Sequence, residues 1–355
     1  MPKITAVTAY RLDLRLREAY TIAYETIDRA DNVILKIDSS DGLTGWGCAA
    51  PDRAITNETA EDVLRAVRET IEPQLVGEDP YRFALHMDRL HHYLPAAKST
   101  RCMVDTALHD LLARRARLPL YRLLGGFRTS IPTSITIGIL PLAQTLVAAE
   151  DFWRRGFRIL KLKGGLAMGE DVEKVFKLRE RFGPELTLRF DANQGYDVAQ
   201  SLNFVAATRA AGIEILEQPT RYGNDEALRT VTQGTDIPIM ADESLRSLRD
   251  AFHLTAGGSI DMVNIKLMKV GGLLEGTHIA SVARAGGMEV MVGCLDECGM
   301  GIATGLHFAL SRPHIPYADL DGHFDLIDDP FRGMVVVENG VLRPVEGYGL
   351  GTVPD

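Results

Sequence analysis

The sequence predicts an α/β protein: a closed barrel in which eight parallel strands alternate with helices, preceded by a smaller α+β domain. Three observations predict it. Eight short apolar segments follow one another beyond residue 126 at a spacing of roughly 25 residues, enough for a strand and its return helix. The region before them begins with alternating strands and continues as amphipathic helix. No GxGxxG follows any of the eight segments, which argues against an open, doubly wound dinucleotide sheet.

Residues 4 to 14 and 32 to 39 alternate as strands, and the Asp-Gly turn of "DGLTGWG" at 41 to 47 leads into a third, so the chain opens on an antiparallel sheet. From about Ala60 to Leu124, "AEDVLRAVRETIEPQL" and "STRCMVDTALHDLLARRA" space apolar residues at the helical period. "LLGGFRTSIPTS" then breaks that pattern with glycine and proline. The barrel strands are read in "TSITIGI", "RILKLKG", "LTLRFDA", "IEILEQP", "IPIMADES", "DMVNIKLMK", "MEVMVGC" and "IPYADLD". The tail from Gly322 reads as a hairpin with an Asn-Gly turn that returns to the first domain. The expected organisation is 1–125 for the α+β domain, 126–321 for the barrel and 322–355 for the tail.

A chain of 355 residues, 46% of them hydrophobic, can bury a large core, and it has no low-complexity tract that would force disorder. Its net charge of −9, with no basic cluster, would repel a phosphate backbone, so nucleic acid is not an expected partner. Cys48, Cys102, Cys294 and Cys298 show neither CxxC nor zinc spacing and suit a reducing compartment. The first residues lack the pattern of a signal peptide, and no apolar run reaches membrane-spanning length. A cytoplasmic protein without membrane contact is expected, and a homo-oligomer is compatible with the sequence.

Chemistry in such a barrel gathers at the carboxyl ends of the strands. Strand three ends at Asp191, within "RFDANQGY", strand four at Glu217 and strand five at Asp242. Taken alone, Asp191 reads as well as a helix cap as a ligand. Three carboxylates converging from adjacent strands repel one another unless a cation neutralises them, so a divalent metal is expected there, and hard oxygen ligands suit Mg²⁺. Strand two ends in "KLK", where alternation puts Lys161 and Lys163 together on the interior face, and strand six brings Lys266 from across the mouth. Lys161 reads as a salt-bridge partner of the metal carboxylates that also supports Lys163, since a second cation and a bound metal push a lysine below its reference pKa of about 10.4. Lys269, a turn later, reads as a surface residue. Asn193 faces the same mouth, as an outer partner of the metal site or as a turn amide.

In this order and spacing, "KLK", "DANQGY", "EQP", "ADES" and "NIKLMK" resemble the enolase superfamily, specifically its muconate lactonizing enzyme subgroup, over nearly the whole chain. The resemblance implies an enolase-like (β/α)7β TIM-type barrel with an α+β capping domain. It also implies one Mg²⁺ per subunit, held by Asp191, Glu217 and Asp242, and abstraction of a proton α to a carboxylate with the metal stabilising the enediolate. With Lys163 and Lys266 as acid/base residues on opposite faces, one removes a proton and the other returns it, which inverts the carbon. "ADLDGHFD" in the last strand resembles the DxD motif of dipeptide epimerases. Asp319 and Asp321 would then pair with the ammonium of a dipeptide substrate whose carboxylate lies at the metal. Thr136 resembles a substrate-contact position and reads equally as a buried strand threonine.

The resemblance assigns specificity to a mobile loop near residues 20 to 30, to the capping segment near 51 to 55 and to the loop after strand seven. Where Ala-Glu epimerases carry an arginine in the first of these, "YTIAYETIDRADN" offers Glu25. Asp52 and Asp296 add acids to the other two, so neutral or cationic dipeptides are expected to be preferred over acidic ones. Solvated loop acids are the alternative reading. "GWGCAAP" has Cys48 where the family usually has glutamate, and Cys48 reads as a small packed residue.

Three rival readings stand beside this one. An o-succinylbenzoate synthase, an N-acylamino acid racemase or a muconate cycloisomerase keeps the chemistry but binds no free ammonium. A Schiff-base aldolase would use a barrel lysine in a different reaction. A binding protein without catalysis fits less well, because each buried charge is costly to keep without a role.

Overall fold

The computed structural model describes residues 1–23 and 26–353, so Glu25 lies outside the described residues. β1 (Ile4–Thr21), β2 (Thr26–Ser39) and β3 (Thr44–Ala49) form an antiparallel sheet in that order. The centre of β2 is buried on both faces. Val33, Leu35 and Ile37 enter a core within this first region, whereas Ile34 and, from β3, Cys48 enter the core shared with the barrel. Strand alternation thus lets one sheet serve two cores, each buried aliphatic side chain contributing about 2 kcal/mol.

The β1–β2 hairpin runs further than periodicity predicts. Pairing continues to Thr21 opposite Thr26, after an irregularity in register between Arg15 and Tyr20. Most of the segment expected as a mobile loop is therefore strand. Its outer half is largely exposed, so it carries no apolar alternation to announce it.

Helix Lys98–Ala116 is buried from Ser99 to Leu111, wedged between this sheet and the rest of the molecule. Two glycines on the same side of β3 make that approach possible. A Cβ on Gly45 would lie 2.2 Å from the Ala107 carbonyl oxygen, and one on Gly47 2.0 Å from that of Met103. Any side chain there would push the helix off the sheet.

After the two-residue β4 (Ile131–Pro132), eight strands follow: β5 (Ile135–Ile137), β6 (Ile159–Lys163), β7 (Thr187–Asp191), β8 (Ile213–Glu217), β9 (Ile239–Ala241), β10 (Met262–Lys266), β11 (Glu289–Gly293) and β12 (Tyr317–Asp319). They pair in parallel, each with the next in sequence, and the edges meet where the Ser134 N–H donates to the Ala318 carbonyl at 3.1 Å. Each strand falls inside the apolar segment predicted for it. The interior below the mouth is filled by Ile215, Met240, Met262 and Met291, with the Arg189 guanidinium donating to the Ala318 carbonyl at 3.2 Å.

Seven of these strands are followed by a helix and β12 is not, so the architecture is (β/α)7β and not the (β/α)8 that spacing alone suggests. Instead the chain returns to the first sheet, where β13 (Leu326–Ile327) pairs with Arg15 and Leu16 of β1. The tail hairpin, β14 (Val335–Glu338) and β15 (Val341–Pro344), turns at Asn339 and Gly340, whose φ values of 51° and 74° are those of an Asn-Gly turn. It does not join the first sheet. β15 pairs with β4, burying Leu342 opposite Ile131 at the amino-terminal end of the barrel. Among the described residues, no helix is long and apolar enough to cross a membrane.

Candidate active site

Strand register assembles the site. Lys163 pairs with Asp191 across β6 and β7, and Asp191 with Glu217 across β7 and β8, so three charged residues end their strands side by side. Asp242 follows β9 directly. Oxygens of Asp191, Glu217 and Asp242 lie within 4.8 Å of one another, and the three residues are at most 2% exposed. Burial, and then the charge of Asp191, push the Glu217 carboxyl up to about 7. Burial also opposes ionisation of Asp242, but the ammonium groups of Lys266 and Lys269 outweigh it and hold its pKa well below the ordinary value. Three hard anionic ligands converging in a dry pocket fit one divalent cation. Asn193 Oδ1, Asn264 Oδ1 and Glu243 Oε2 are buried around the cluster with no protein donor, as expected of acceptors for the water shell of such an ion.

Four lysines surround the triad. Lys163 Nζ lies 2.7 Å from Asp191 Oδ2, and Lys266 Nζ 2.8 Å from Asp242 Oδ2. Their strands, β6 and β10, are four places apart in the eight-stranded ring, so the two ammonium groups approach the triad from opposite walls. Lys161 is deeper, 3.4 Å from Glu217 and 3.7 Å from Asp191, and it also pairs with Asp319. Burial alone would lower Lys161 and Lys266, yet the surrounding carboxylates push both pKa values up. At Lys266 the charge of Lys161 adds to the downward push, and the carboxylates still outweigh both.

Lys269 corrects the sequence reading. It is 1% exposed and donates to the Asp242 carboxylate and main-chain carbonyl. The reason is local: β10 passes without a loop into helix Leu267–Val270, whose single turn brings Lys269 back beneath the strand ends. A lysine three residues after an inward one, with no intervening break, is the signal that marks it.

Two further neighbours, Asn264 and Gln218, are not among the residues the sequence singles out. Asn264 Nδ2 donates to Glu217 Oε1 at 2.7 Å, and its position two residues before Lys266 puts it on the same inward face. Gln218, at φ 33°, accepts from the N–H groups of Asp242 and Ser244 at 3.0 Å each, fixing the backbone of the third carboxylate from the neighbouring strand. Asn193 is buried at φ 42°; its N–H donates to Asp191 Oδ1 at 2.8 Å and its amide faces Glu243. It is at once a turn residue and an orienter of Asp191.

The two acids of "ADLD" part company. Asp319 is 3% exposed and committed inward, accepting from Lys161 and, at 2.6 Å, from Ser134 Oγ. Asp321 lies beyond the end of β12 and is partly exposed, with one oxygen accepting from the Thr136 N–H at 2.6 Å. Burial, and then the charge of Asp319, push Asp321 up to about 6. Thr136 thus meets the site through its backbone. Asp296 and Asp52 border a cavity of about 260 Å³ between β2 and the loops after β3 and β11, together with Asp28, Asp31, Arg29 and Arg53. Cys48 is buried 3.6 Å from Cys298 Sγ and donates to Asn32, as a small packed residue would.

Residues 4–125 match the family model for the mandelate racemase/muconate lactonizing enzyme N-terminal domain, and residues 144–355 the model described as enolase C-terminal domain-like. The L-Lys-D/L-Arg epimerase of Desulforapulum autotrophicum is 39% identical over 350 residues, covering 98% of this chain and 99% of its own. A dipeptide epimerase from Methylococcus capsulatus, solved with Mg and the dipeptide L-Arg-D-Lys, superimposes with a TM-score of 0.95 at 39% identity over 99% of both chains. The substrate-liganded L-Ala-D/L-Glu epimerase from Bacillus subtilis gives a TM-score of 0.96 at 32% identity, again over 99% of both.

Proposed function

Because the chain belongs to the mandelate racemase/muconate lactonizing enzyme family of enolase-like proteins, we propose that it is a magnesium-dependent dipeptide epimerase with Lys163 and Lys266 as its acid/base pair. The observation that carries this reading is the approach of these two lysines to different carboxylates of one triad from opposite walls of the barrel. Asp191, Glu217 and Asp242 would hold the ion. When bound there, magnesium supplies Lewis-acid stabilisation for a substrate carboxylate that gains negative charge.

The chain's own groups supply the rest. One of Lys163 and Lys266 removes the α-proton of the dipeptide's second residue, and the other delivers a proton to the opposite face, inverting that carbon. Their direction is set before substrate arrives, since each ammonium is hydrogen-bonded to a carboxylate. Lys161, Gln218 and Asn264 hold the carboxylates in place. Asp321 receives the substrate ammonium, while Asp319 is committed to Ser134 and Lys161.

For the side chain of the second residue the reading favours a cation over an acid. Asp28, Asp31, Asp52 and Asp296 outnumber Arg29 and Arg53 in the lining of the outer cavity, and the two arginines already pair with Asp13 and Asp62, so an anionic side chain entering it would meet net like charge. Two relatives about 40% identical, named as L-Lys-D/L-Arg epimerases, support the same direction. The test is a dipeptide library incubated with the enzyme in deuterated water and followed by mass spectrometry. The account expects α-deuteration and epimerisation that EDTA abolishes and magnesium restores, fastest with Lys or Arg in second place. Turnover indifferent to chelation, or fastest with Ala-Glu, contradicts it.

A further inference from the structure

We propose that Tyr20 is a positioning residue for substrate selection: its hydroxyl, reaching from the first sheet, aims the Asp296 carboxylate at the side chain of a bound dipeptide. The inference rests on the cationic preference proposed above and extends it to a residue outside the barrel. Tyr20 Oη lies 2.9 Å from one Asp296 oxygen and 3.1 Å from the other, joining β1 to the loop after β11.

The hairpin that carries Tyr20 is anchored on both sides of this contact. Asn32 of β2 donates to the Asp296 carbonyl at 3.0 Å and accepts from the Cys298 N–H at 2.9 Å, so the same sheet also fixes the backbone of the loop. Thr21 accepts from the Ile139 N–H at 2.9 Å, which docks the hairpin on the loop after β5. Tyr20 therefore sits on a frame tied to two barrel loops. The register irregularity between Arg15 and Tyr20 lies within that span.

Two other acids of the cavity are already engaged. Asp31 forms a bidentate pair with Arg11, and Asp52 accepts from the N–H groups of Ala54 and Ile55 in its own turn. The Asp296 side chain is held instead by a neutral hydroxyl from another domain, which orients a carboxylate without cancelling its charge. Burial, and then Asp296 itself, push the Tyr20 phenol up, so it stays a donor at any working pH. Burial pushes Asp296 up to about 7; Tyr20 opposes that shift, Asp52 and Asp321 add to it, and Lys163 opposes it. Losing the hydroxyl would both release the rotation of Asp296 and favour its neutral form.

The experiment is a double-mutant cycle of Y20F and D296N on the magnesium-loaded enzyme, reading kcat and KM for L-Ala-L-Lys and L-Ala-L-Leu. The account expects Y20F to raise KM for the lysine dipeptide about tenfold more than for the leucine dipeptide, with kcat for the two moving together. A factor of ten is about 1.4 kcal/mol, the size of one charge-assisted hydrogen bond. In the D296N background Y20F should add nothing to the ratio. Additive effects, or equal losses on both dipeptides, overturn the role of Tyr20 while D296N still reports the cationic preference. A wild-type enzyme indifferent to side-chain charge overturns both. Should circular dichroism show Y20F unfolded, Tyr20→His, which keeps an N–H donor, replaces it: retained preference supports the role and lost preference contradicts it.

Discussion

Lys269, on the single helical turn after β10, donates to the carboxylate of Asp242, the same group that Lys266 approaches from the strand itself. Asp242 is thereby held between two ammonium groups in a pocket with almost no solvent access. Deleting one partner of such a buried cluster leaves uncompensated charge and costs about 3 kcal/mol. K269M should lower the unfolding free energy of the magnesium-free protein by that amount, read as a lower urea midpoint with the slope of the transition unchanged. A midpoint equal to that of the wild type would mean that Lys269 is dispensable to the fold.

The unequal surroundings of Asp319 and Asp321 predict unequal phenotypes. D321N should keep wild-type stability and reduce kcat/KM for free dipeptides about 100-fold, because its carboxylate is open to the substrate ammonium. D319N should lose stability instead, since it strips a buried lysine of a partner. Melting curves and steady-state kinetics on the two variants separate the cases, and identical behaviour would contradict the division of roles.

Two glycines should respond in opposite directions to alanine. Gly47→Ala places a methyl against the Met103 carbonyl and is expected to cost about 3 kcal/mol or prevent folding. Gly169→Ala, in helix Met168–Phe182 with nothing within 4 Å of the added Cβ, should stabilise by up to about 1 kcal/mol. Chemical denaturation of both variants checks the pair.

His307 is fully buried, accepts from the Tyr121 N–H at 3.0 Å, and is lowered from 6.5 to about 4 by burial. The unfolded chain takes up a proton there near pH 6.5 and the folded one does not, so the contribution of the neutral imidazole is intact above that pH and is lost as pH falls toward 4. The loss amounts to about 3 kcal/mol. His307→Gln, which keeps an acceptor for Tyr121, should give a shallower fall in melting temperature between pH 7 and pH 4.5 than the wild type.

The barrel was legible because its chemistry lies in short strands whose last residues are charged: "KLK", "RFD", "EILE" and "NIK" each mark a strand end as well as a functional position. Alternation then suffices to turn Lys161, Lys163 and Lys266 inward. Lys269 was harder to read, because whether a lysine after a strand turns outward depends on the loop, and only the unbroken run from β10 into the helix signals that the loop is absent. Asp319 looked equivalent to Asp321 in sequence, and only packing against Lys161 and Ser134 separates them. Tyr20 was hidden for the same reason: its partner Asp296 is 276 residues away, and no local pattern encodes a contact across that distance.

The central claim, that Lys163 and Lys266 serve opposite faces of one carbon, is tested most directly by α-proton exchange in deuterated water with K163A and K266A, each supplied separately with the L,L- and L,D-forms of its best dipeptide. The account predicts that both variants lose epimerisation, by 10²-fold or more as a rough lower bound. Each should still exchange the α-proton of one epimer, and K163A and K266A should exchange opposite epimers. Exchange of the same epimer by both, or full epimerisation by either, contradicts the account.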